Sequence, residues 1–506
     1  MRQSAGHSRC EDDGACALVT PAVGAKLVRP MRPHTDDDGL LDLGRIRNRE
    51  GIIMLWQSDT RETVRHGAAR RPSKLSSWLI TACTLTPLLL VTSPASAIPA
   101  FARQMGLECT ACHTAYPQLN AFGREFKLNG YTESAGKVPW YKKLALMTEP
   151  SFTHTASDLS QPPKDFGDNN NFAFTQTSLF FGGKIAGKLG GFVQATYDGV
   201  GKVFSWDNTD FRFADTASIK GKSLVWGIDL NNNPTVQDLW NSTPAWSYPF
   251  SASGIAPTPA AATLIQSLGG QVAGLGAYSL WNDLVYVEAA AYHTLDDGAL
   301  RALGVSPLDV SAKIDGAAPY WRVALQHEWG PHYLEGGTFG MAADTLPGGD
   351  RSAGHDHFTD LGLDLQYQYS HAVSDVALRV SWIHEQQDLS AGYRLGLATN
   401  TSNDLNTFNG NVSYLYDKTW QFTAAYSNLR GDADPAYYGT DTGSPDSNWA
   451  TVQLDWLPYN KHGGPSLWPW FNPKLSVQYV AYDRFDGTTS GASDNNTLYL
   501  QAWLVF

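Results

Sequence analysis

Cys109-Thr110-Ala111-Cys112-His113 is the stretch whose residue types and spacing prescribe a chemistry. Two thiols separated by two residues reach the two vinyl groups on one porphyrin edge. The histidine that follows then falls beneath the iron as its proximal nitrogen ligand. This is the pattern of a c-type haem attachment site, and one covalent haem c is the cofactor it implies. Two rivals would use the same cysteines. A thioredoxin-like redox pair needs a βαβ context that the flanking sequence lacks, and a structural zinc site wants further cysteines. Of five cysteines, Cys10, Cys16 and Cys83 fall in the leader described below, so Cys109 and Cys112 are the only thiols past it. An exported chain with two cysteines is no disulfide scaffold either.

The sixth iron ligand has to come from Met105, Met147, Met341 or ten histidines past the leader. Met105 is too close to Cys109 to loop over the other face of the ring. Met147 and His154 are near enough in sequence, and each equally suits an ordinary strand position. A thioether raises the reduction potential, so Met147 is the expected ligand, with His154 in reserve. A second group of metal-ligating types lies downstream: Asp344, Asp350, His355-Asp356-His357 and Asp360. Carboxylate and imidazole suit a borderline divalent metal ion. His355 and His357 are therefore candidate metal ligands, set against the commoner case of an adventitious His-x-His in a loop.

These residues need elements to hold them. Arg70, Arg71 and Lys74 precede the apolar run from Leu75 to Val91, and Ser93-Pro94-Ala95-Ser96-Ala97 closes it. That is a secretory signal peptide with cleavage after Ala97; a membrane anchor fits less well, because the run is short and Thr-rich. Residues 1–69 carry mixed charge without periodicity, and Met54 offers an alternative start. The leader, 1–97, takes with it 13 Lys/Arg and 10 Asp/Glu, leaving 24 and 39 and a net charge of −15. Such a surface repels nucleic acid and attracts cations.

Residues 98–143 carry the haem motif. There Leu119, Phe122, Phe126 and Leu128 recur at helical spacing, a face too small to fold alone but large enough to cover a haem. Arg124 and Lys127 fall off that face, as solvated side chains or as partners of haem propionates.

From 144 to 506 the pattern changes to period two. In Asp360 to Tyr369 every odd-numbered residue is apolar or aromatic and every even-numbered one is polar or Gly. Past residue 97 no apolar run is long enough for a membrane helix, aromatics reach 12% and charged residues only 17%, and mean hydropathy is −0.28. Sixteen candidate strands begin near 144, 172, 189, 211, 223, 273, 284, 320, 333, 358, 375, 408, 420, 449, 474 and 497. Their links alternate between short and long, save for one longer short-side link, 458–473, as in outer-membrane barrels with tight periplasmic turns and long outer loops. The long links include 231–272, 344–357 and 387–407. Leu498, Leu500, Ala502, Leu504 and the terminal Phe506 share a face, resembling the last-strand assembly signal of bacterial barrels. The fold class is all-β: a 16-stranded outer-membrane porin-like β-barrel with a small N-terminal α-helical c-type haem segment plugging it. Arg322, Gln326, Glu328, Asp364, Arg379 and Asp455 are inward candidates that would wet the lumen.

The segment Ile98-Pro99-Ala100-Phe101-Ala102-Arg103-Gln104-Met105-Gly106, the haem motif, and then Pro117, Leu119, Phe122-Gly123-Arg124, Phe126-Lys127 and Gly130-Tyr131 resemble the fused monohaem cytochrome–porins of iron-oxidising bacteria. The likeness is detailed from Ile98 to Thr132 and architectural beyond; Met105 stands where that family would carry Thr. The resemblance implies an outer-membrane electron conduit with iron:cytochrome c oxidoreductase activity. Fe(II) outside would be the donor, and a periplasmic c-type cytochrome or other soluble carrier the acceptor. Two alternatives stay open: a porin whose haem is structural or redox-gating, and a conduit for another donor.

Overall fold

A computed structural model describes residues 100–506 apart from 135, 308, 309, 311 and 461–469. The leader and its cleavage point lie outside the described residues. β1 (Leu144–Thr155), β2 (Asn171–Ala186), β3 (Leu189–Asp198), β4 (Val203–Ile219) and β5 (Lys222–Asn231) lead into the link 232–271. Beyond it come β6 (Val272–Trp281), β7 (Val285–Thr294), the two-residue β8 (Lys313–Ile314), β9 (Ala318–Trp329), β10 (His332–Leu346), β11 (Asp356–Ser370) and β12 (Ser374–Asp388). The last are β13 (Ser402–Tyr416), β14 (Trp420–Gly431), β15 (Ser447–Trp456), β16 (Asn472–Arg484) and β17 (Thr497–Val505).

Each long strand pairs antiparallel with its sequence neighbours, and β1 pairs with both β2 and β17. β8 is an appendage that pairs with the end of β10, while β7 pairs directly with β9. The result is a closed antiparallel barrel of sixteen strands. Closure removes the unpaired edge that an open sheet of this size would expose.

Expected and observed strand starts agree to within two residues except at two places. β4 begins at Val203 and β13 at Ser402, not near 211 and 408. Both extensions are rich in Asn, Asp, Ser and Thr. They continue the hydrogen-bonded ladder at the long-loop end, where these polar residues interrupt the apolar alternation.

The short links are tight turns. Asn282-Asp283, Asp417-Lys418 and Lys220-Gly221 each have positive φ at both positions, the two-residue turn whose twist matches flanking antiparallel strands. Pro150, which cannot donate to a ladder, sits at a register shift in β1.

The period-two pattern puts apolar residues outside. Leu361, Leu363 and Leu365 are 42%, 51% and 39% exposed, while Asp360, Asp364 and Gln366 between them are buried. At the short-turn end, exposed Trp281, Trp329, Tyr416, Trp420 and Trp456 form a belt. Phe172, Phe174, Tyr197 and Phe204 form another at the long-loop end. An apolar band between two aromatic girdles is the surface of an outer-membrane barrel. The short turns are then periplasmic and the long links extracellular.

Candidate functional site

The segment ahead of β1 folds locally around one asparagine. Asn120 caps the helix Ala121–Leu128 by accepting from Gly123 N at 3.0 Å. Its amide also donates to the carbonyls of Thr110 and Ala111, so the residue that starts the helix also ties it to the haem motif. Gly123 makes the contact sterically possible: a Cβ there would stand 2.2 Å from the Cys112 carbonyl oxygen.

Wall residues at the periplasmic end of the barrel grip the motif. Asn472, the first residue of β16, donates to Cys109 Sγ at 3.5 Å and accepts from the Tyr116 hydroxyl at 3.3 Å. Asn460 donates to the Thr114 carbonyl, and Gln118 to Ser413 near the end of β13. Lys474 lies over the rings of Tyr116 and Trp503.

The donor set fits haem c. Both thiols are free and part-buried. His113 Nδ1 lies 3.3 Å from the Gln118 carbonyl. A carbonyl only accepts, so Nδ1 carries the proton and Nε2 is left as a lone-pair ligand, the usual arrangement of a metal-binding histidine. Desolvation pushes the His113 imidazole down to about 4, which keeps it neutral, and burial raises Cys109 to about 12 and Cys112 to about 11.

Arg124 and Lys127 are not solvated: both are buried, and Arg124 Nη2 has no hydrogen-bond partner among the described residues. Arg124 donates to Gln368 of β11 at 2.7 Å and stacks 3.7 Å from the Tyr333 ring centroid. Lys127 donates to the carbonyls of Val236 and Asp238 in the link 232–271. Burial lowers its pKa to about 7. The helix sits inside a polar-lined barrel, so its polar face meets the wall and the inserted link in place of water. Its apolar side is completed locally: Phe101, Phe126 and Tyr131 pack ring on ring, with Phe101–Phe126 centroids 5.0 Å apart.

Met147 lies on the inner face of β1 at the same end as the motif, buried with Ala100, Ala145, Phe180 and Val505. Val505 pairs with Met147 on one side and Asn472 on the other. Met147 thus stands two strands from the residue that bonds Cys109, roughly 10 Å across the sheet. His154 corrects the alternative: it is exposed on the outer face near the extracellular end of β1, bonded to Asn170, and cannot reach the motif.

His355 and His357 are drawn together by Asp344. His357 Nδ1 is 2.7 Å and His355 Nε2 3.7 Å from Asp344 Oδ1, all three side chains being solvent-exposed. Among the described residues, no group of three or more His, Cys, Asp or Glu is arranged to hold a metal ion. Nor does the fold bring this pair to the haem motif. His357 and Gln368 lie on the same strand, eleven residues apart, roughly 36 Å along β11.

The link 232–271, expected as an outer loop, instead folds into the lumen. Val236, Leu239, Trp240, Ile265 and Leu268 are fully buried. Trp240 donates to the Tyr333 hydroxyl, and Ser242 to Asp364. Tyr248 reaches Gln453 of β15. The inward charges therefore do not wet a pore. Arg322 is paired with Glu335 and Asp364 at 3.0 and 2.7 Å, with no side-chain exposure. Asp455 is bonded to Gln421, Gln453 and Ser476. Gln326 sits at a periplasmic turn against Asp283, and Glu328 is exposed. The signal for the insertion was present: a link this long is seldom structureless, and one carrying Val236, Leu239, Trp240, Trp246, Tyr248, Ile255, Leu264, Ile265 and Leu268 has too much apolar surface for solvent.

No protein-family model matches the chain, and no curated protein matches it. Among solved structures it is similar to the outer membrane channel DcaP of Acinetobacter baumannii, with 12% identity over 74% of this chain and 99% of that one and a TM-score of 0.41. Salmonella typhi OmpF in complex with daunomycin gives 11%, 72%, 97% and 0.40. A loop-deletion mutant of OmpT from Vibrio cholerae gives 9%, 72%, 98% and 0.38. The barrel itself is read from its own strand pairing.

Proposed function

We propose that this protein is an outer-membrane electron conduit of the fused monohaem cytochrome–porin kind, in which electrons from Fe(II) outside pass through one covalent haem c to a soluble periplasmic carrier. One observation carries this: a Cys-x-x-Cys-His motif whose His113 Nδ1 faces the Gln118 carbonyl, held inside the wall at the periplasmic mouth by Asn472, Asn460 and Ser413. A haem bound there supplies one-electron chemistry that the polypeptide lacks.

The chain's own residues do the rest. Cys109 and Cys112 would anchor the group, and His113, oriented by Gln118, would be its nitrogen ligand. Met147 is the side chain of suitable softness at that end to be a further ligand. Part-exposed Met105 and exposed Leu107 lie beside the motif and give a periplasmic carrier an apolar surface to approach. The acidic chain favours Fe(II) approach outside. At roughly 36 Å from Gln368, any part played by His355 and His357 is capture of the ion at the rim, since electron tunnelling falls exponentially with distance.

Fe(II) added to the outer side of proteoliposomes should reduce the haem bands in stopped flow. Intact haem that stays oxidised across a range of pH would exclude Fe(II) as donor. A channel with a structural or redox-gating haem is the second reading, favoured by the sixteen-stranded wall alone. It requires measurable single-channel conductance in planar bilayers, which the packed link 232–271 opposes.

A further inference from the structure

Of the three fully buried arginines on the inner face of the wall strands, Arg212, Arg322 and Arg379, two are matched to carboxylates and one is not. Arg322 meets Glu335 and Asp364, and Arg212 meets Asp210 at 2.8 Å. Arg379, on the inner face of β12, is just as deeply buried at 1% exposure. Its hydrogen bond runs from Nε to the Trp240 carbonyl at 3.4 Å, and Nη1 and Nη2 have no partner among the described residues. Asp238, the carboxylate whose field reaches it, already accepts from the backbone of Trp240, Ser242 and Thr243. The Arg124 guanidinium, whose field also reaches it, is of like sign. A buried, uncompensated guanidinium is among the costliest groups a fold can carry.

Arg379 opens onto a small cavity between β12, β13 and the inserted link, lined also by Asn241, Tyr248, Ser381, Asn409 and Asn411. It has room for one water-sized guest, about 10 Å³. No Asp or Glu lines it. Two of its amides have their oxygens engaged elsewhere: Asn241 Oδ1 accepts from Leu119 N at 3.1 Å, and Asn409 Oδ1 from the Ser427 hydroxyl at 2.8 Å. What they have left is N–H₂. Turning over the Asn411 amide, whose Oδ1 has no partner, adds a third donor.

We propose that this cavity binds one small monovalent inorganic anion of chloride size, which neutralises Arg379 inside the lumen. A water accepts at most two hydrogen bonds and leaves the charge. An anion satisfies the donors and the charge together. Because Asn241 belongs to the inserted link and Arg379 to the wall, the ion ties the link to the barrel. The site needs no haem and stands whether or not the protein carries electrons.

Bromide soaked into crystals of the full-length, unmodified protein tests this directly. An anomalous peak within hydrogen-bond distance of the Arg379 guanidinium is expected, and its absence overturns the proposal. In detergent solution at equal ionic strength, the melting temperature should be higher in sodium chloride than in sodium gluconate. That difference should vanish in Arg379→Gln. Asn411→Asp places a fixed carboxylate in the cavity and should remove both the bromide peak and the chloride dependence while keeping the fold. A chloride effect of equal size in the unmodified protein and both variants would show that the ion acts elsewhere, and the proposal fails.

Discussion

At the scale of single residues, the Cys109–His113 motif is legible because the covalent attachment proposed for it would fix both residue type and spacing. Its surroundings are not. The partners of Arg124 and Lys127 are Gln368, Val236 and Asp238, more than a hundred residues away, and no local pattern names them. Gly123 lies between these cases, since its role depends on a close approach only the fold reveals. Gly123→Ala would put a methyl group 2.2 Å from the Cys112 carbonyl oxygen, forcing the helix off the motif. Haem-stained gels of that variant should show reduced covalent haem, and normal loading would mean the segment adjusts freely. Met147→Ala should abolish any sulfur-to-iron charge-transfer band while the haem stays attached. It should also destabilise the barrel by about 2–5 kcal/mol, the usual cost of emptying a buried methionine site. An unchanged spectrum would exclude Met147, and His154, on the outer face, would not replace it.

At the scale of elements, period-two patterning exposed the strands because one face meets lipid and the other a polar lumen. In the first residues of β4 and β13, where Asn, Asp, Ser and Thr are frequent although the inner face is buried, the pattern fades. The same reasoning explains why the link 232–271 escaped: insertion into a lumen leaves no periodicity, only an excess of apolar residues. Two kinds of latch hold it. Lys127 binds its carbonyls from the periplasmic side. On the extracellular side Asp486, in the link between β16 and β17, accepts from Ala260 N at 3.0 Å. Burial lifts the Asp486 carboxyl to about 6 from a free value of 3.8. A folded-state pKa above the unfolded one means the folded chain holds the extra proton between those values. Its stabilising contribution is therefore complete below about pH 4 and is lost as pH rises through about 6. Thermal melts should show stability falling across that window, with the slope reduced in Asp486→Asn. An identical slope in the variant would assign the titration to another group. Deleting 236–268 should raise single-channel conductance above near zero, though not to that of an empty barrel, because the segment carrying Arg124 and Gln118 stays bonded to the wall.

At the scale of the whole molecule, closure is what the chain end contributes. Phe506 follows β17, and its backbone exchanges two hydrogen bonds with Leu146 at 2.8 and 3.1 Å, extending the seam between the last strand and the first. Its ring is half-buried, not exposed, because it packs against Phe471 at 5.0 Å. Alternation turns Val505 inward beside Met147 and Trp503 inward against Tyr116, so Phe506 faces away from the haem motif. Its deletion then removes two seam bonds worth about 1 kcal/mol each and an aromatic pair worth about 1 kcal/mol, with no contact to Cys109, Cys112 or His113 lost. Assembly should suffer and the site should not. Outer-membrane yield of the truncated protein should fall severalfold, while the fraction that inserts carries haem and the same visible spectrum as the full chain. Normal yield would show that the seam closes without its last residue. Normal insertion with a changed spectrum would show that the chain end reaches the site through Trp503, which the alternation of β17 argues against.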